Sequence, residues 1–256
     1  MRIAVRFAAA CFVAMSIVAA PVAAQTANDA AAYFGLISTP LGGLPPIATN
    51  TILDEPHNGA AFALRYGHVA GDDFTSTFNN FGATAVLPWG TTSTFSLTGG
   101  IVHTSFDDGF TTTSDNTLML SAGADTRLGA MPLSSARDAA RIVVGVNGEL
   151  GFAKPSGGTV WSGSVGLPVS LVSATSSRDQ LRFVPFVTPA FGFANLSSDN
   201  ANGINGGSDS GTRFMIGAGI SIYNRSNSVA VNAGLQYIPI SGGHTQFGLG
   251  VVLGGR

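Results

Sequence analysis

From about residue 60 onward, apolar residues recur at every second position rather than every third or fourth. That period belongs to β-strands with one apolar face, so it predicts an all-β fold. In residues 118 to 128, Leu118, Leu120, Ala122, Ala124 and Leu128 share one parity against Ser121, Gly123, Asp125 and Arg127. Phe214, Ile216, Ala218, Ile220 and Ile222 likewise oppose Arg213, Gly217, Gly219 and Ser221, and Phe247, Leu249, Val251 and Leu253 oppose Gln246, Gly248 and Gly250. Ten such segments fall at roughly 60–69, 78–88, 93–104, 117–128, 140–152, 159–172, 180–193, 212–223, 228–238 and 244–253. Two connections break a regular alternation of long and short: Gly129 to Ala139 is long, and Ala153 to Gly158 is short.

A strand with one apolar face suits a soluble sandwich or a membrane barrel, and the opposite face separates the two. A water-facing surface carries charge at about a quarter to a third of its positions, whereas only 10% of this chain is charged. The second face is instead Gly, Ser, Ala and Asn, which suits the crowded inside of a narrow closed barrel. After residue 24 no stretch approaches the roughly 20 apolar residues of a spanning helix. The pattern therefore predicts an antiparallel up-and-down transmembrane β-barrel of about ten strands, apolar outside and small or polar inside, closed so that no strand edge lies in hydrocarbon. Barrels of eight or twelve strands, and a secreted soluble β-sandwich binding module, are the alternatives.

Residues 1–24 have the layout of an export signal: Arg2 and Arg6, an apolar stretch from Phe7 to Ala20, and small residues before a cleavage point after Ala24. Residues 25–59 form a separate segment in which Pro40, Gly42, Gly43, Pro45 and Pro46 oppose regular structure, although Tyr33 to Ile37 has the character of a short strand. It is expected to be a periplasmic lead-in or a partial lumen plug ahead of a barrel domain at 60–256. The only cysteine, Cys11, lies in the leader, so the exported chain has no disulfide. Its remaining charges are 10 basic and 14 acidic, with Lys154 the single lysine, and nothing in that balance suits a nucleic acid.

Seven charges fall on the inward parity: Arg65, Asp125, Arg127, Arg141, Glu149, Arg182 and Arg213. They are expected to pair across the lumen, because buried charges need partners. Trp161 and Tyr237 near one set of strand ends, and Trp89 and Tyr223 near the other, predict two interfacial aromatic girdles. Asp72, Asp73, Asp107, Asp108, Asp115, Asp199 and Asp209 gather on the long-loop side, whereas Arg137, Arg178, Arg225 and Arg256 lie on the other.

With its leader, its ten alternating segments, the Gly-plus-aromatic stretches FVPFVTPAFGFA and RFMIGAGISIYN, and the closing strand QFGLGVVLGG, the chain resembles the small bacterial outer-membrane β-barrel proteins. The resemblance covers residues 60–256 and identifies no subfamily. It implies an outer-membrane location, contact with outer-membrane lipid and lipopolysaccharide, insertion by the barrel assembly machinery, and a monomer without cofactor or metal. The implied role is non-enzymatic: envelope structure, surface interaction or limited solute passage. The chain departs from that class in ending Leu253-Gly254-Gly255-Arg256 without an aromatic residue. It also places Pro168, Pro185 and Pro189 within predicted strands, where each removes a ladder donor and calls for a bulge or a strand start.

No catalytic, cofactor or metal residue is assigned, but four motifs bear on the alternative of an outer-membrane enzyme. His103 and Ser105 sit two apart on one strand face, as in outer-membrane lipid A deacylases, with no carboxylate evident to orient the His. His68 with Asp72, Asp73, Asp107 and Asp108 resembles the acidic rim of the ten-stranded omptin proteases, without a second Asp-x-His element. The loop holding Asp199, Asn200, Asn202, Asn205 and Asp209 is rich in oxygen donors, but Ala201 breaks the calcium-loop register. Gly217 with Gly219, and Gly248 with Gly250, lie within strands and so lack the strand-to-helix setting of a dinucleotide fingerprint.

Overall fold

The computed structural model describes residues 36, 40, 59–70, 76–107, 112–135, 139–173, 181–198, 207–224, 228–238 and 244–254. Eleven β segments make one closed antiparallel wall: β1 (Ala61–Ala70), β2 (Ser76–Trp89), β3 (Ser93–Asp107), β4 (Thr112–Pro132), β5 (Arg141–Ala153), β6 (Gly158–Gly166), β7 (Val169–Val172), β8 (Leu181–Ser198), β9 (Ser208–Asn224), β10 (Val229–Ile238) and β11 (His244–Gly254). Closure comes from β11 pairing β1 from Ala61↔Gly254 to Ala70↔Thr245.

β6 and β7 are one wall strand. β5 pairs Gly166 through Asn147 and Val169 through Val144 without a shift of register, and β8 pairs both pieces equally in step. The barrel therefore has ten strands, and its ten wall segments are those that the alternation marks out.

The prolines explain the split. Gly145 N–H donates to Pro168 O and Leu167 N–H to Pro189 O, both at 2.9 Å. Hydrogen-bonded pairs alternate along an antiparallel ladder, so the missing donors of Pro185 and Pro189 both face the β6–β7 strand, and that of Pro168 faces β5. Pro168 and Pro189 meet at the two-residue break Leu167–Pro168, one losing its donor toward β5 and the other toward the β6–β7 strand, and the register is the same on both sides of it. The seam needs neither a bulge nor a strand start at Pro185 or Pro189, which pair Ile220 and Ile216 of β9 in unbroken order. The one register shift lies elsewhere, between Arg127 and Gly129 on β4. It reverses the facing of β4, so that Ala130 packs inside while Met131 is exposed.

The short connection is as expected, whereas the long one begins later, because Gly129 to Pro132 belong to β4 and pair β5. β4 runs past its bulge to Pro132, and β5 returns to β6 through the tight Lys154–Gly157 turn, where Gly157 takes φ +83°. The strands are strongly staggered. Stepping by partners from Ala61, at the end where β1 starts and β11 finishes, leads through Val86, Ser96, Gly123, Glu149, Ser164 and Gly192 to Arg213 near the opposite rim.

All eleven segments expose large apolar side chains outward, among them Leu64, Phe81, Ile101, Leu120, Leu150 and Leu249. Among the described residues, Asp, Glu, Lys and Arg occur only on the inward parity, at the rims or in turns. Trp89, Trp161 and Tyr237 are exposed as the girdle pattern requires, but Tyr223 is not: at 2% exposure it faces the lumen. Its parity with Arg213 and Ser221 decides this, and nearness to a turn does not.

Candidate functional site

The lumen is layered along the barrel axis. At the end holding the termini of the barrel, Tyr223 packs with Val143, Val172, Val184, Ala230 and Val252. At the far end, Val69, Phe78, Val102, Met119, Val160 and Met215 form a second apolar layer. Alternation alone predicts a polar interior throughout, and it misses these layers because an inward Val or Met looks like noise in a parity count.

Between the layers lies a polar belt. Arg65 Nη2 donates to Thr98 Oγ1 at 3.0 Å, and Thr98 Oγ1 is 2.9 Å from Thr84 Oγ1. Thr94 Oγ1 donates to the Asp125 carboxylate, and Ser121 Oγ donates to that of Glu149. Outside this belt, on the rim side of Met215, Arg213 is 1% exposed and donates to Thr212 O at 3.1 Å. A cavity of about 110 Å³ opens beside Arg65, Asp125, Asn147, Glu149 and Gln236. The buried amides of Asn80, Asn232 and Gln246 meet no hydrogen-bond partner among the described residues. Of the seven charges expected inside, Arg65, Asp125 and Arg213 are buried and Arg127, Glu149 and Arg182 are half-buried, whereas Arg141 is exposed at the rim of the end bearing the termini.

Among the described residues, two from outside the wall reach this interior. Leu36 is fully buried in the far apolar layer, and Pro40 lines the belt cavity. A Cβ on Gly192 would stand 2.9 Å from Leu36 Cδ2 and 2.9 Å from Met215 Cε, so the glycine makes the seat. Both residues are helical; of the stretch Tyr33 to Ile37, where a short strand is expected, only Leu36 is described, and it is not in a strand. A closed wall offers a lumen segment no free edge to pair with, and a helix satisfies its own backbone.

On the outside, the far end carries a polar row in direct cross-strand register. His68 pairs Asn79, Asn79 pairs His103, and His103 pairs Asn116. Asn79 Oδ1 accepts from Tyr66 Oη at 2.9 Å and lies 2.9 Å from His68 Nδ1. Asn116 Oδ1 lies 2.9 Å from His103 Nδ1. An amide oxygen only accepts, so both Nδ1 atoms donate. The hydrogen-bond partner of His103 is thus an amide on β4 and not Ser105, which lies one step nearer the rim and pairs Thr77 and Ser114. Neither Asn was singled out from sequence, because each meets its His only through register.

Asp115, at the same rim but on the inward parity, accepts from Ser156 Oγ at 2.7 Å and from Ser156 N–H at 3.3 Å, tying β4 to the β5–β6 turn. Those bonds hold its carboxyl below the usual carboxylate range. Asp72, Asp73, Asp108, Asp199, Asn200, Asn202 and Asn205 lie outside the described residues, as does the side chain of Asp107. Exposed Asp209 accepts from Ser210 N–H beside it. Among the described residues no three His, Cys, Asp or Glu side chains converge as a metal site. Gly217 and Gly219 lie in β9, and Gly248 and Gly250 in β11.

Neither a protein-family model nor a curated protein sequence matches the chain. Solved structures that match it are β-barrels of outer membranes. The N-terminal β-barrel domain of Pseudomonas aeruginosa OprF is 14% identical over 78% of this chain and 98% of that one, with a TM-score of 0.33. The transport unit of the autotransporter AIDA-I from Escherichia coli is 13% identical over 90% and 98%, with a TM-score of 0.43. The outer membrane enzyme PagL is 11% identical over 75% and 98%, with a TM-score of 0.34. At such values the architecture rests on the strands of this chain alone.

Proposed function

We propose that this chain is an integral outer-membrane β-barrel, exported by residues 1–24, non-enzymatic, and serving envelope structure or surface interaction rather than open solute passage. The observation that carries the reading is the outer wall. On β3 the outward positions run Ser93, Phe95, Leu97, Gly99, Ile101, His103, and Ser93 and His103 bond to polar partners on β4 at the two ends. About ten residues at roughly 3.3 Å each, on a strand tilted about 45°, give a band of about 23 Å, near the roughly 25 Å apolar height of such barrels.

The layered lumen supports a closed barrel. Residues 25–59 act in this reading as a partial plug, with Leu36 and Pro40 as its two points of attachment. The far rim then faces outward with its acidic loops, and the lipid around the band is the protein's constant partner.

Fractionation tests the location. The protein should follow the membrane, need detergent for extraction, and migrate faster unheated than heated on a gel; recovery as a soluble periplasmic or secreted protein overturns the reading. In planar bilayers it should not conduct appreciably. For the non-enzymatic assignment the test is lipid A acyl hydrolysis in the wild type and in His103→Ala and Ser105→Ala variants, where activity lost with either residue would replace this reading by an enzymatic one.

A further inference from the structure

Directly beneath the outward polar row runs an open trough of about 650 Å³ in the band, crossing β10, β11, β1, β2 and β3, with Leu64, Tyr66, Phe81, Gly99, Ile101 and Leu249 among its lining. Its volume is that of a ligand site, which spans about 300–1,000 Å³. The alignment with the row is strict. Tyr66, Phe81 and Ile101 stand two residues below His68, Asn79 and His103 on the same face of their strands. Gly99 keeps the floor low: a Cβ there would meet only Leu120 Cδ2, at 3.5 Å. The rings of Tyr66 and Phe81, 4.9 Å apart, form the shoulder between trough and row.

The row above is prepared for an anion. Asn79 Oδ1 is taken by Tyr66 and His68, and Asn116 Oδ1 by His103. That leaves the Nδ2 donors of Asn79 and Asn116 without a protein acceptor among the described residues. Two amide donors held by their own oxygens suit the oxygens of a phosphate, since hydrogen bonds to an ionised group are the strong ones. An acyl chain needs the opposite surface, and the trough supplies it.

We infer that this face binds one phosphate-bearing membrane lipid, with an acyl chain in the Leu64–Gly99–Leu249 trough and the headgroup phosphate on Asn79 and Asn116. The inference rests on the outer-membrane reading above, since it takes the trough to lie at the level of lipid chains.

The test uses the full exported chain in detergent micelles, with native mass spectrometry during titration by phosphatidylglycerol, by diacylglycerol of the same chains, and by inorganic phosphate. Wild type should retain one phosphatidylglycerol about tenfold or more in preference to diacylglycerol, the worth of losing a charge-assisted hydrogen bond, and should not retain inorganic phosphate alone. Asn79→Leu with Asn116→Leu should abolish that preference while weak chain binding persists. Gly99→Leu, which fills the trough, should remove both. Equal retention of the two lipids by wild type, or an unchanged preference in the double variant, overturns the inference. Retention of inorganic phosphate alone at the same affinity overturns the lipid as source. Heat-modifiable migration of the same samples separates the two failures: a protein that shows it without lipid preference remains a membrane barrel and refutes only this proposal, whereas one that lacks it refutes both.

Discussion

The two apolar layers that close the lumen are built from different material. The one beside the barrel's termini consists of wall residues, with Tyr223 as its largest member. The one at the far end includes Leu36, which lies outside the wall strands and lodges where Gly192 leaves space. A side chain of the wall is placed by the same pairing that forms the barrel, so its layer exists whenever the barrel does. A residue from a separate segment must dock, and its contribution belongs to docking rather than to closure. The first layer is a fixture and the second is an assembly.

That contrast is breakable by substitution. Tyr223→Ala should have the largest effect, about 3–5 kcal/mol from the wall itself. It should lower the temperature at which the heat-modified band appears and leave residues 25–59 as protease-resistant as in wild type. Leu36→Ala should cost about 2–5 kcal/mol by the same cavity argument, but charged to docking. Residues 25–59 should become protease-sensitive while the barrel's thermal transition stays put, and a parallel fall in both would show that the far layer is also a fixture. Gly192→Val attacks the same seat from the wall, with a cost of about 1–3 kcal/mol for overpacking. It should expose the segment as Leu36→Ala does, and the double variant should add little to either single one.

The smallest effect is expected at the rim strap. The folded pKa of Asp115 is depressed by Ser156. Its contribution is therefore fully present above the unfolded value near 3.9 and is lost as pH falls through the lower folded value. Exchange protection of the Ser156 amide should drop in that acid window in wild type, and Asp115→Asn should flatten the response. The exposed setting keeps the stability change small.

Sequence reading succeeded wherever the evidence was local. The ten segments, including the undivided 159–172, follow from parity, because a side chain's face is set by the two residues beside it. The Tyr223 girdle assignment went wrong when position near a turn was allowed to outrank that parity. The three prolines look disruptive along the chain and are harmless in the wall, since pairing resumes in the same register on both sides of the break. The polar row His68–Asn79–His103–Asn116 was half visible: the His residues stood out as candidates, but their Asn partners lie on other strands. The helical form of Leu36 and Pro40 follows from the absence of an edge in a closed wall, which no short window of sequence can register.

By itself, then, the sequence determined that this chain is a ten-segment β-structure with an apolar outer face and a sparsely charged inner one, because alternation is a property of neighbours along the backbone. The tertiary structure decided the register that aligns the outer row with its trough, the bulge that turns β4 over beyond Arg127, the layering of the lumen, and the seat that admits Leu36. Each of these depends on which residue of one strand stands opposite which residue of another. Hydrogen bonding between strands is indifferent to side-chain identity, so that choice is settled only when stagger, turns and closure are satisfied together around the whole wall.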